Sequence, residues 1–410
     1  MKQNIIKAVN YLNLFSILYI TASSIYYYPV QKIGFYLFFG SYFLELLLEK
    51  KWLNIKMDKK HFYYIVLFLF FLLALIYYPF ENSTKYTMLL LEKRFSLFGF
   101  ALVGFLGVNN KFKLNYFLNT FIISSIVAIV YLVFVRVGIH EFIFDPLRAD
   151  IFKILRIQYV NSHMVFNFYL NIALISTWYI LTRSWNRTIW WKRYLYIAAL
   201  TVILSFLSIS EGRSGFIVGI LLMLSFIFFE IWKRRKVMGI VIGFLIPFLL
   251  ISIASNHKRM SENSLETEPR LFLWESATSV IKEKPIFGYG ISDAQVAFDV
   301  ARAKYQTEEF RINWINSKHL DSHDQYLQTT MEFGIPGLLI LLFLYIFPIF
   351  IVEKNRRLFA ILMLFLCAYQ SVFDMFITGP FSALFGILMI LLLSVKNNIV
   401  KITPEKKIES

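Results

Sequence analysis

The chain has a single cysteine in 410 residues, Cys367, and it lies in an apolar stretch. A disulfide within the chain is thereby excluded, and so is a metal site built on cysteine. No HExxH pattern occurs, so the usual helix-borne zinc signature is absent as well. Charged residues make up only 17% of the chain, and no internal repeat or low-complexity segment is visible. The N-terminus has no small-residue cleavage pattern; its first apolar stretch runs unbroken into Tyr26 to Tyr28 and reads as a retained helix.

What takes the place of charge is hydrocarbon. Hydrophobic residues are 58% and aromatic residues 19%, with 44 Phe and 24 Tyr, well beyond a soluble globular average. Stretches such as LNLFSILYITASSIYYY and PFSALFGILMILLLSV approach the roughly 20 residues that a hydrocarbon layer about 30 Å thick demands of a helix. The expected fold class is an all-α integral membrane protein, because a transmembrane barrel would show short alternating segments instead. Twelve spans are read at residues 8–28, 33–49, 61–80, 86–108, 115–137, 161–182, 194–210, 215–232, 237–254, 335–352, 358–378 and 380–395. This divides the chain into a nine-span bundle (1–254), a large extracytoplasmic loop (255–331), three C-terminal spans (332–395) and a cytoplasmic tail (396–410).

A net charge of +16 would suit nucleic acid, but its placement points elsewhere. Lys and Arg sit in short clusters between apolar segments, 24 on the side of the termini and six in the short segments opposite. The positive-inside rule therefore puts both termini in the cytoplasm, with the lipid bilayer and not nucleic acid as the partner. Residues 255–331 break the rhythm with eleven acids, nine bases and three of the six histidines. A loop of this length is expected to be folded and functional. In TEPRLFLWESATSVIKEKP, Thr267 can cap and Pro269 suits a first turn, while Leu271, Trp274, Thr278 and Ile281 recur at helical spacing. Ser292 with Gln295, and Ser322 with Gln325, have the spacing of capping boxes that open two further helices, the second one stopped by Gly334.

HLDSHDQYLQ, residues 319–328, is the most polar motif of that loop. His319 and His323 stand four apart, which admits three readings: a metal pair, solvated loop residues, or a catalytic imidazole. The cap at Ser322 would put a helix start between the rings and His323 in its first turn. Arg270 sits in a first helical turn, where it opposes the helix dipole; a bound anion, or a nearby Glu266 or Glu268, relieves that conflict. Arg213, in SEGRSG, joins two apolar spans and either serves a polar ligand at the membrane boundary or pairs with Glu211. Lys93 and Arg94 are either interfacial or project into a polar cavity, and His163 reads as a cap or a buried hydrogen-bonding group. Guanidinium groups grip phosphate bidentately, so a lipid-linked phosphate or diphosphate is the ligand that these arginines suit.

PRLFLWESATSVIKEKPIFGYGISDA followed by DSHDQYLQTTMEFGIPGLLILL resembles the signature region of the O-antigen ligase and polymerase family over residues 265–345, and SEGRSG is similar to that family's serine-arginine turn. The resemblance implies a metal-independent glycosyltransferase without cofactor. It would move a glycan from undecaprenyl diphosphate to the hydroxyl of a glycolipid or glycan acceptor, outside the bacterial inner membrane. By motif position Arg213 and Arg270 would hold the diphosphate and His323 would be the loop's essential histidine. Arg94, Arg136, Arg156, His319 and Asp324 are further candidate contacts to diphosphate or glycan. Asp324 stands where the family has Asn: a helix cap is served equally by either, whereas an orienting contact to substrate is not. A polymerase, a protein glycosyltransferase and a lipid-linked glycan transporter are the alternatives; the sequence shows no inverted repeat and no broken helix of the kind transporters use.

Overall fold

The computed structural model describes residues 2–26, 28–50, 55–78, 84–108, 111–138, 140, 163–184, 189–209, 213–236, 269–305 and 320–395. Among them are thirteen α-helices and no strand. In chain order these are α1 (Lys2–Ser23), α2 (Tyr28–Glu49), α3 (Lys59–Tyr77), α4 (Thr84–Leu106), α5 (Leu114–Tyr131), α6 (His163–Ser184), α7 (Trp190–Ile209), α8 (Arg213–Arg234), α9 (Pro269–Glu283), α10 (Asp293–Tyr305), α11 (Gln325–Ile351), α12 (Arg357–Gln370) and α13 (Gly379–Leu393). A π-helical turn, Leu132–Val137, extends α5 and carries Arg136.

Six of these segments are long and apolar enough to cross a membrane: Lys2–Ser23, Lys59–Tyr77, Leu114–Val135, Met164–Arg183, Gly215–Trp232 and Gln325–Ile351. The protein is a multi-pass membrane protein, while the expected count of twelve is only partly met. Of the last two expected spans, α12 has 14 residues and α13 has 15, or roughly 21–23 Å of helix, short of a 30 Å layer. The expected span 237–254 lies outside the described residues.

Of the six long apolar segments the most enclosed is α6, with 89% of its apolar window buried. Apolar residues surround it on all sides, and it packs against α5, α7, α8 and α12. Its contact with α8 is close because α8 presents Gly215 and Gly219, four apart. A Cβ at Gly215 would stand 2.5 Å from the Asn167 Cβ. Asn171 Nδ2 donates to the Gly215 carbonyl at 3.0 Å, so small residues and a buried amide together lock the two helices. Arg356, grouped by sequence with the cytoplasmic charge clusters, is 2% exposed. Its guanidinium donates to the Leu391 carbonyl at 3.1 Å and to the Val395 carbonyl, a cation at the C-terminus of α13.

The described part of the 255–331 segment carries α9, α10 and the start of α11, with turns between them. The expected face of α9 is displaced: Leu273, Ala277 and Val280 are buried against Ala294, Phe298 and Met331, while Leu271 is exposed. Packing against α10 and α11 selects that stripe, and burial on two sides overrides the spacing of Leu271, Trp274 and Thr278.

Gly334 does not end a helix, as its sequence context suggests, but breaks one. It adopts φ 64° and ψ −160° inside α11. Pro336 has no N–H to give the Glu332 carbonyl, and Gly290 N–H supplies the missing donor at 2.8 Å. Tyr289 N–H donates to Met331 O at 2.9 Å, and Ile335 N–H turns to Pro285 O at 3.0 Å. The PIFGYG turn thus completes the hydrogen bonding of the kink in the EFGIPG segment. Close approach makes Gly334 obligatory, since a Cβ there would stand 2.1 Å from Ile286 O. The chain therefore does contain a broken apolar helix, with its freed carbonyls satisfied by protein backbone.

Candidate functional site

Three chain segments meet at the start of α11. The first is the turn 320–324. Asp321 Oδ1 accepts from His323 N–H at 2.9 Å, an Asx turn that holds His323 at φ +48°. This left-handed conformation is uncommon for a residue other than glycine and costs about 1 kcal/mol or more, so the surroundings must enforce it. The second segment is the turn after α12. Gln325 N–H donates to Ser371 O at 2.7 Å and Ile377 N–H to Gln325 Oε1 at 2.7 Å, which fixes Asp374 beside the histidine. The third is the first turn of α9, whose Arg270 guanidinium lies 5.5 Å from the Phe373 ring centre.

His323 Nδ1 lies 3.2 Å from Asp321 Oδ1 and 3.9 Å from Asp374 Oδ1. It is buried without a hydrogen bond among the described residues, so it is a ring nitrogen in the field of two carboxylates. Asp374 is the main reason that the imidazole pKa is raised above its ordinary value; burial opposes this, Asp321 adds to it, and Arg270 opposes it. Asp321 keeps 36% of its side-chain surface open. Even so, loss of solvent is the chief influence on its carboxyl, whose pKa rises, with His323 and Lys93 acting the other way. Arg270 and Lys93 are thus the cations whose fields reach the histidine and Asp321.

Sequence spacing misplaces the helix start. The N-cap of α11 is Asp324, whose Oδ1 accepts from Leu327 N–H at 2.8 Å, and not Ser322. His323 precedes the helix instead of sitting in its first turn. Ser322 starts a buried relay: its hydroxyl proton is shared between the Asp324 carbonyl at 2.9 Å and Gln328 Oε1 at 3.2 Å, Gln328 Nε2 donates to Glu332 Oε1 at 2.9 Å, and Arg94 Nη2 meets the same oxygen at 2.7 Å. Arg94 is 4% exposed. Its guanidinium is held by Glu332, one end of the relay that reaches Ser322.

Asp324 is 7% exposed. Burial pushes its carboxyl up to about 6, against the lowering effect of the backbone donors Leu327 and Tyr326. A carboxyl raised by folding binds its proton more tightly in the native state, so stability from this group is full below the unfolded pKa near 3.8 and is lost as pH rises towards 6. The loss is on the order of 2 to 3 kcal/mol. Asp324→Asn keeps the cap acceptor without the charge. The variant is expected to unfold at a higher temperature than the parent at pH 8 and at nearly the same temperature at pH 3, read by thermal unfolding in detergent; equal gains at both pH values would contradict this account.

Of the other sequence candidates, Arg213 opens α8 and Arg136 lies in the π-helical turn, but their side chains are outside the described part; Arg156 and His319 are outside it entirely. The structure therefore brings together Arg270, His323 and Asp324, with Arg94 behind them. It adds Asp374, which sequence reading had absorbed into an apolar span. An aspartate in such a span was itself the available signal, since ionisable groups there are seldom idle. Among the described residues, no group of three or more His, Cys, Asp or Glu could hold a metal ion.

Residues 197–342, from within α7 into α11, match the family model described as O-Antigen ligase. A Rickettsia typhi protein provisionally named a polysaccharide ligase is 27% identical over 255 residues, 59% of this chain and 58% of the relative. A Rickettsia conorii protein with the same provisional name is 30% identical over 151 residues, 34% of this chain and 35% of its own length. An uncharacterised Haemophilus influenzae protein is 33% identical over 94 residues, 21% of this chain and 20% of its own. The chain thus spans less than two thirds of the length of these curated relatives. No solved structure matches it significantly. The two motif segments that grip each other at Gly334, and the histidine turn and arginine beside them, lie in the matched region: residues 197–342 are similar to the O-antigen ligase family.

Proposed function

We propose that the protein transfers a glycan from undecaprenyl diphosphate to an acceptor hydroxyl on the extracytoplasmic side of a bacterial inner membrane, with a lipid A core or another surface glycolipid as acceptor. One observation carries this reading: Arg270 and His323, from separate segments of the matched region, share one electrostatic site in which two carboxylates flank the imidazole.

The chemistry follows from the groups present. A diphosphate is a good leaving group, so the barrier lies in the charge that develops on it and in the poor nucleophilicity of a sugar hydroxyl. Arg270, joined by Arg213 from the start of α8, stabilises the departing diphosphate by preorganised charge. Asp321 and Asp374 face Nδ1 and favour the tautomer with its proton there, which leaves Nε2 to accept the acceptor's proton. The acceptor oxygen forms the new bond to the anomeric carbon as the bond to diphosphate breaks, the bonding pair leaves with the diphosphate, and the anomeric centre inverts. His319, Arg136 and Arg156 are left for contacts to the glycan, while Asp324 serves as the cap of α11. The four-part division at 254, 331 and 395 accompanies this reading, with the 255–331 loop presenting the site.

The direct test is reconstitution of the purified protein in liposomes with a polyprenyl-diphosphate glycan and candidate acceptors, following which acceptor gains sugar. Absence of transfer to every hydroxyl acceptor, with intact donor uptake across the bilayer instead, would favour the transporter. The pH dependence provides a second test. A general base must be neutral, so transfer is expected to rise with pH through a midpoint above 6.5, the ordinary imidazole value. Asp374→Asn removes the largest influence that raises that pKa, and is expected to move the acid limb to lower pH. An unmoved limb would remove Asp374 from its part in positioning and tuning the base. Arg270→Lys keeps the charge but loses the planar fork, and is expected to lower kcat by roughly tenfold or more.

A further inference from the structure

A groove between α2, α3 and α4 takes no part in the chemistry above. It encloses about 760 Å³, within the range of small-molecule sites. Phe35, Phe39, Phe71, Phe95, Phe98 and Met88 line it, and Lys32 and Glu92 stand among them as an ion pair of 3.0 Å. Three of its lining residues, Phe71, Leu91 and Phe98, also belong to the packed cluster that contains Ile291 and Phe333. Ile291 follows the GYG turn. Phe333 lies between Glu332 and the Gly334 kink, with the Arg94 guanidinium 5.8 Å from its ring centre. Lys93, next to the lining residue Glu92, directs its field at Asp321. One wall of the groove is therefore packed against the GYG turn and the Gly334 kink.

We propose that this groove holds the polyprenyl chain of the lipid-linked donor while its diphosphate lies at Arg270 and His323. The inference rests on the transfer reading given above and names where the donor's apolar part goes. Continuity selects the donor over a bulk phospholipid: the cluster of Phe71, Leu91, Phe98, Ile291 and Phe333 joins the groove to the segments on which Arg270 and His323 stand. Five phenylalanine rings give flat, polarisable walls against which the trisubstituted double bonds and methyl branches of a polyprenyl chain can pack.

The test uses the full chain in nanodiscs of phosphatidylethanolamine and phosphatidylglycerol, with a polyprenyl phosphate carrying a photoreactive group on its isoprenoid tail. Adducts mapped by mass spectrometry are expected on peptides from α2, α3 and α4 and should vanish with excess undecaprenyl phosphate but persist with excess phosphatidic acid. Adducts scattered over all lipid-facing helices, or lost equally to phosphatidic acid, overturn the proposal. Gly40 lines the groove, and a Cβ built there meets no heavy atom within 4 Å, so Gly40→Phe fills the space without displacing protein. Labelling is expected to fall and KM for the lipid donor to rise, each by roughly tenfold, equivalent to about 1.4 kcal/mol of binding, with kcat unchanged. Unchanged labelling and KM would refute the groove while leaving the transfer reading intact if His323→Ala still abolishes transfer. Groove labelling together with normal transfer by His323→Ala would refute the transfer reading alone.

Discussion

Replacing His323 by alanine is expected to lower glycan transfer by roughly 10²- to 10⁴-fold, the range that one general base supplies. Donor affinity should change little, because the groups proposed to hold the donor are untouched. The backbone offers a control. His323 occupies φ +48°, where glycine is free of the strain that a Cβ imposes. His323→Gly should therefore be at least as stable as His323→Ala and still inactive, which separates loss of chemistry from backbone strain. The parent's acid limb should disappear in both variants. Transfer by His323→Ala at the parent rate, at any pH, would end the assignment of this imidazole as base.

The second large effect concerns stability. Arg94 Nη2 and Glu332 Oε1 lie 2.7 Å apart, with side chains 5% and 2% exposed. Removing one partner leaves a charge inside the bundle without its counter-ion, and Arg94→Met or Glu332→Met alone is expected to destabilise the protein by about 3 to 5 kcal/mol. The double substitution should recover most of that loss, since it removes both charges together. The same relay reaches Ser322, the neighbour of His323, so the single variants should also slow transfer at temperatures where they remain folded. A double variant no more stable than either single one would show that the pair is not the coupled unit drawn here. Glu332 also carries an oxygen, Oε2, that is buried without a hydrogen bond among the described residues, so even the intact pair is incompletely satisfied.

The parts of this protein that were legible beforehand are those that depend on a residue's own chemistry or on its near neighbours. Pro269 at the start of α9 was readable from local capping rules, and the stop ahead of Pro285 likewise. Arg270 and His323 stood out because a cation in a first turn and an imidazole in a polar motif are unusual in so apolar a chain. The helix start at Asp324 was misread because three polar residues in a row, Ser322, His323 and Asp324, all compete to cap, and only the left-handed turn at His323 decides among them. Asp374 and the Arg94–Glu332 pair were not legible as partners. Their counterparts are 51 and 238 residues away, and no local rule links them.

The sequence by itself determined the solvent and the class: with so much apolar surface and so few charges, backbone polar groups must be paired within helices, and a multi-pass helical bundle follows. It also determined which side chains are able to hold phosphate and move a proton. Only the tertiary structure decided that the PIFGYG turn supplies the donors that Pro336 and Gly334 take from α11, and that the hydrogen bonds of Gln325 to Ser371 and Ile377 set Asp374 beside the histidine turn. The reason is that hydrogen bonds lost at a kink must be replaced from elsewhere in the chain, and the replacement comes from whichever backbone the packing brings within 3 Å.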